Sequence, residues 1–147
     1  VLTTAVKTRR RITVTAVREV LEEIARDYPW RQDRRVTDER PVRYVDFGQP
    51  SCLVAHVLIR LGYSVGVLRA LDAEHRTGEL FRAGGVKVAE SRHPALRRID
   101  PTARRLLQYV QDQQDRGEAW GRIVAAAFRP SRFFPRLDRE RRPWLCA

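Results

Sequence analysis

Apolar residues recur at helical spacing through most of this chain, and the breaks in that spacing mark where its elements end. Through TVTAVREVLEEIARDY, Val17, Val20, Leu21, Ile24 and Tyr28 share one face while Arg18, Glu19, Glu22, Glu23 and Arg26 share the other. That pattern predicts an amphipathic helix from Thr13. Pro29 closes it, because proline disfavours helical geometry in the residue before it. The most apolar run is Pro50 to Leu71, where Leu53, Val54, Val57, Leu58 and Leu61 form one stripe of a helix beginning at Pro50. Gly62 ends that helix, and Ser64 caps a second one carrying Val65, Leu68 and Leu71. Arg60, Gly62, Ser64 and Arg69 interrupt the run, so it falls short of the about 20 apolar residues a membrane span requires.

The remaining segments are less uniform. Residues 30–40 are polar around Trp30 and predict a loop. VRYVDF, 42–47, alternates and predicts a short strand, paired with RRVT (34–37) in preference to GVKVAE (85–90) because the first is local. From Asp72 to Arg98 the period fades, and an excursion with little regular structure is expected. Asp100 as N-cap and Pro101 at the first helical position open a further helix with Ala103, Leu106, Leu107 and Val110 inside, ending at Gly117. Trp120, Ile123, Val124, Ala127 and Phe128 define a last helix before Pro130. The fold class expected is mostly α: a single compact domain of four to five helices, with room for one short β-hairpin.

Charge changes this picture at its ends. The chain has 147 residues and a formal net charge of +11. Residues 1–12 hold Lys7, Arg9, Arg10 and Arg11 without an acid, and residues 129–147 hold six arginines against Asp138 and Glu140. Each end therefore carries +4 and the middle only +3. The expected organisation is a basic flexible arm over 1–12, a helical domain over 13–128 and an Arg- and aromatic-rich C-terminal tail over 129–147. A basic balance favours an anionic partner. Two cysteines, Cys52 and Cys146, make no disulfide framework, and the basic N-terminus has no apolar leader after it. A cytoplasmic, reducing environment is the expectation.

The spacing PSCLVAHVLIRLG, then VGVLRALD, a polar excursion, and a helix running through QDQQDRGEAWGRIVAAA resembles a set of small uncharacterised proteins of actinobacteria and their phages. The resemblance spans residues 14–128 and rests on Pro50, Cys52, Leu53, Val54, Leu61, Gly62, Gln111, Asp115, Trp120 and Gly121. It implies a phage-related or mobile-element accessory role, and no particular chemistry.

Few residues suggest catalysis. Cys52 and His56 are four apart, a spacing that suits a metal pair or a thiol beside a base. Yet zinc takes about four ligands, and His75 and His93 lie in the excursion without a ligand motif. A small buried cysteine and a satisfied histidine are the expectation, with no metal or cofactor. No nucleophile elbow, phosphate loop or paired-carboxylate motif occurs, so a non-enzymatic protein is expected. Glu19, Glu22, Glu23 and Asp27 read as a solvated face.

Three binding readings remain. In the first, Arg9, Arg10, Arg11, Arg132, Arg136, Arg139, Arg141 and Arg142 neutralise nucleic-acid phosphates, while Phe133, Phe134 and Trp144 stack on unpaired bases. Against it stands the ordinary role of arginine-rich ends as solubilising tails. In the second, a protein–protein module acts on a host factor through residues 72–98 or the aromatic tail. In the third, RLGYSVGVLRAL resembles a helix-turn-helix, although Leu58 stands where a small residue is usual and Val65 and Gly66 occupy base-reading positions.

Overall fold

The computed structural model describes residues 10–34, 43–74 and 86–128. Within them are five helices: α1 (Val14–Asp27), α2 (Leu53–Arg60), α3 (Val65–Ala73), α4 (Pro101–Asp115) and α5 (Trp120–Phe128). A two-stranded antiparallel hairpin, β1 (Val45–Asp46) and β2 (Gln49–Pro50), precedes α2. Short 3-10 turns occupy Val88–Glu90 and Pro94–Arg98. The molecule is mostly α, as the period of its apolar residues requires.

Helix ends follow local chemistry. The Thr13 hydroxyl accepts from the Ala16 amide and opens α1. Gly62, at φ +97°, lets the chain leave α2, and Ser64 caps α3 by accepting from the Val67 amide. Proline leads α4 from its first position, where its missing N–H costs nothing. Val17, Leu21 and Ile24 of α1, Leu53, Val54, Val57 and Leu58 of α2, Leu106, Leu107 and Val110 of α4, and Trp120 and Ile123 of α5 are buried in one core. Each such side chain contributes about 1.5–3 kcal/mol before ordering entropy is subtracted. Gly121 lets α5 approach the bend after α1, because a Cβ there would meet the Pro29 carbonyl oxygen at 2.7 Å.

Several expectations need correction. The strand at 45–46 pairs with Gln49–Pro50 across Phe47 and Gly48. Residues 35–37 lie outside the described residues, and 88–90 form a 3-10 turn. The reason is that β1 is served by a side chain: the Asp72 carboxylate accepts from the Tyr44 and Val45 amides at 2.8 and 3.1 Å. Pro50 belongs to that hairpin, so α2 starts at Leu53. Tyr28, placed on the buried face of the first helix, is exposed. The excursion at 72–98 is described over 72–74 and 86–98, where Val86, Val88 and Leu96 are buried. Ile12, counted on sequence with the basic arm, is buried too, bridging in parallel to Ile99.

Candidate nucleic-acid interface

The Ile12–Ile99 bridge organises a basic surface. The Ile12 amide donates to the Arg98 carbonyl at 2.7 Å, and the Asp100 amide donates to the Ile12 carbonyl at 2.9 Å. Successive side chains on an extended segment point to opposite sides. Both isoleucines enter the core, so Arg11 is turned outward, where its Nε donates to the Asp100 carboxylate. Arg97 and Arg98 come from the 3-10 turn just before the bridge, and Arg104 and Arg105 from the first turns of α4 just after it. Arg98 lies over the Tyr63 ring at 5.5 Å, and Arg104 reaches the Ser91 carbonyl at 3.5 Å. The Nε atoms of both are buried with no hydrogen-bond partner among the described residues. Arg105 donates to Thr102 Oγ1.

Residues 91–105 contain arginines 92, 97, 98, 104 and 105 and a single acid, Asp100. Among the described residues, Arg10, Arg92, Arg97, Arg98 and Arg104 have no carboxylate within ion-pair distance. The same holds for Arg26, Arg34, Arg69 and Arg116, whereas certain other cations are paired. Arg60 binds Glu23 and Asp27, Lys87 binds Asp112, and Arg18 binds Glu22. Glu23 and Asp27 thus belong to an interhelical pairing, and the acidic face of α1 is partly neutralised within the fold.

Of the residues expected to contact nucleic acid, Arg10 and Arg11 are described and exposed, and Arg11 lies on this surface at Asp100. Arg9, Arg132, Phe133, Phe134, Arg136, Arg139, Arg141, Arg142 and Trp144 lie outside the described residues. Arginines 97, 98, 104 and 105 were missed on sequence because the middle of the chain was summed as a whole. A narrower window, five arginines and one acid in 91–105, carries the signal.

The interior polar cluster is a different arrangement, centred on the start of α2. Cys52 occupies the N-cap without a capping hydrogen bond, so the first amides of the helix are served from a distance. The Asp33 Oδ2 accepts from the Leu53 amide at 3.0 Å and from Trp120 Nε1 at 2.9 Å. Gln114 Oε1 accepts from the Val54 amide at 2.9 Å. One turn away along α4, Gln111 accepts from the Val88 amide and donates to the Tyr44 hydroxyl, which donates to the Val86 carbonyl. Cys52, Leu53, Val54, Gln111, Trp120 and Gly121, which carry the resemblance drawn above, all meet here or pack beside it. The arrangement here is structural: Asp33, Gln111 and Gln114 satisfy buried polar groups that would otherwise cost about 1–3 kcal/mol each.

Cys52 and His56 do not form an activated pair. Burial, reinforced by the nearby Asp33 charge, pushes the Cys52 thiol up to about 12, so it stays protonated and weakly nucleophilic. The His56 ring packs 5.3 Å from Trp120 and 6.4 Å from Tyr28, with Nε2 buried and without a hydrogen-bond partner among the described residues. Burial, then the Arg31 and Arg60 charges, lower its pKa and favour the neutral imidazole. No three His, Cys, Asp or Glu side chains converge on a metal site among the described residues.

The turn from α2 to α3 has the helix–turn–helix order. Its outward positions, however, are Ser64, Gly66, Arg69 and Ala73, of which only Ser64 and Arg69 can hydrogen-bond to base edges. Two large apolar side chains project from the body, Trp30 at 82% and Phe47 at 97% exposure. No helix among the described residues is long and apolar enough to cross a membrane. Comparison with protein-family models, with curated proteins and with solved structures returned no match.

Proposed function

We propose that this chain is a non-enzymatic accessory protein, phage-related and cytoplasmic, that binds nucleic acid through charge and without sequence preference. One observation carries the reading: the basic N-terminal segment is anchored by Ile12 against Ile99, so that Arg11 emerges at Asp100, with arginines 97 and 98 just before that residue in the chain and 104 and 105 just after it. Guanidinium groups gathered with one carboxylate among them neutralise phosphates and release counterions, which gives affinity independent of sequence. The C-terminal arginines and aromatics extend the same chemistry, with stacking that favours single strands.

Fluorescence anisotropy with labelled single- and double-stranded DNA and RNA over a salt series tests this. Arginines 9, 10 and 11 and the six of the tail are replaced by glutamine in one variant, keeping Ile12 and hence the core. The full chain should bind with a log–log salt slope of about −4 to −8, at least halved in the variant. Absence of binding near physiological salt overturns the reading.

A protein–protein role is the second reading, and the exposed Trp30 and Phe47 favour it. An interface built on such anchors depends weakly on salt, which separates it from phosphate binding.

A further inference from the structure

We propose that Asp100 is a resident stand-in for a nucleic-acid phosphate, and that the place it holds among the arginines is the body's own phosphate seat. The inference rests on the nucleic-acid reading above and adds to it a fixed site at the root of the N-terminal arm, where Arg11 meets Asp100 of the body.

Asp100 stands at the N-cap of α4, where an aspartate ordinarily accepts from amides of the first helical turn. Here it makes no such bond. Its carboxylate instead accepts from Arg11 Nε, a contact made possible by the Ile12–Ile99 bridge. Within residues 10–12 and 91–105 it is the sole acid, against seven arginines. A carboxylate and a phosphate oxygen make the same charge-assisted bond to a guanidinium, and a phosphate offers more oxygens and more charge. The pair lies at the surface, with side chains 63% and 30% exposed. Exposed pairs of this kind are weak and readily exchanged. An incoming phosphate therefore takes Arg11 from Asp100, which has Arg97, Arg98 and Arg104 within four residues of it along the chain, none of them ion-paired with a carboxylate among the described residues. Asp100 lowers the affinity of the free protein for stray anions and yields to a polyanion, whose neighbouring phosphates engage the other arginines together.

The test is the Asp100→Asn variant in full-length protein, with Asp100→Ser as a second substitution; both residues are good N-caps, so α4 is retained. Circular-dichroism melting checks the fold. With a labelled oligonucleotide at about 0.1 M salt, each variant should bind about 5–10-fold tighter than the parent, with the salt slope steeper by about 1 because one more guanidinium is available. Glu19→Gln removes an equal charge from the exposed face of α1, away from the Arg11 contact, and should change affinity by less than about 2-fold, since it frees no guanidinium and acts only through screened charge. In an Arg11→Gln background the gain from Asp100→Asn should shrink to the level of Glu19→Gln. If Asp100→Asn and Asp100→Ser bind no tighter than Glu19→Gln, or tighten equally without Arg11, the seat does not exist, and the arm reading survives provided the arm variant still loses binding. If the parent binds no nucleic acid, both fall together.

Discussion

Asp115 shows how one buried group sets a pH response. Burial pushes its carboxyl up to about 6 from 3.8, against the pull of the Gln114 amide and of Lys87 at 4.0 Å, with Asp112 and Asp33 adding to the rise. The folded state therefore holds more protons than the unfolded one between these values. Stability from this group is greatest below about pH 4, falls as pH rises through about 6, and stays reduced above. Asp115→Asn keeps an oxygen for Gln114 and removes the buried charge. It should stabilise the protein by about 1 kcal/mol at pH 7.5 and not at pH 4, measured by urea unfolding. Loss of stability at pH 7.5 would mean that the Lys87 contact outweighs burial. His56 works in the opposite sense: its pKa is lowered, so stability is lost as pH falls through the ordinary imidazole range. Neither response is legible in sequence, because the surroundings come from distant segments, Lys87 and Asp33 beside Asp115 and Tyr28 and Trp120 beside His56.

At the scale of elements, the helices and a short strand within 42–47 were readable, and the partner of that strand in the hairpin was not. Val17, Leu21 and Ile24, or Leu106, Leu107 and Val110, repeat at a period that only one face of a helix satisfies. The β pairing depends on Asp72, whose carboxylate takes the two amides at the start of β1, and on a tight turn with Phe47 at φ +49° and Gly48 at φ +72°. Two successive positive φ values suit Asn-Gly, and a bulky first residue costs about 1–2 kcal/mol. Phe47 gains no packing in return, being almost wholly exposed. Phe47→Asn should therefore stabilise the protein by about 1 kcal/mol in urea melts. If it also abolishes capture of a protein partner, the strain at Phe47 belongs to that interface; a destabilised variant would mean that the ring packs against the body.

Over the whole molecule, charge is distributed unevenly. The interhelical pairs of Arg60 with Glu23 and Asp27 and of Lys87 with Asp112 balance one region. The arginines around Ile99 and the start of α4 go largely unbalanced, on a chain of net charge +11. Like charges gathered in the folded state repel one another more than in the expanded chain. Raising sodium chloride from about 20 to about 150 mM shortens the screening length from over 20 Å to about 8 Å and should raise the melting temperature. A fall in melting temperature would show that the exposed ion pairs contribute more than the arginine repulsion costs.

Local pattern by itself determined most helix ends and most buried faces, the start of α2 and the exposure of Tyr28 excepted, and that the ends of the chain are basic, because propensity, caps and period act over a few residues. Only the tertiary structure decided that Ile12 belongs to the core, that Asp33 and Gln114 serve the start of α2, and that Arg11 meets Asp100 among arginines 97, 98 and 104. Those contacts join residues between 20 and 89 positions apart, and their partners are chosen by how the helices pack, which no short window of sequence contains.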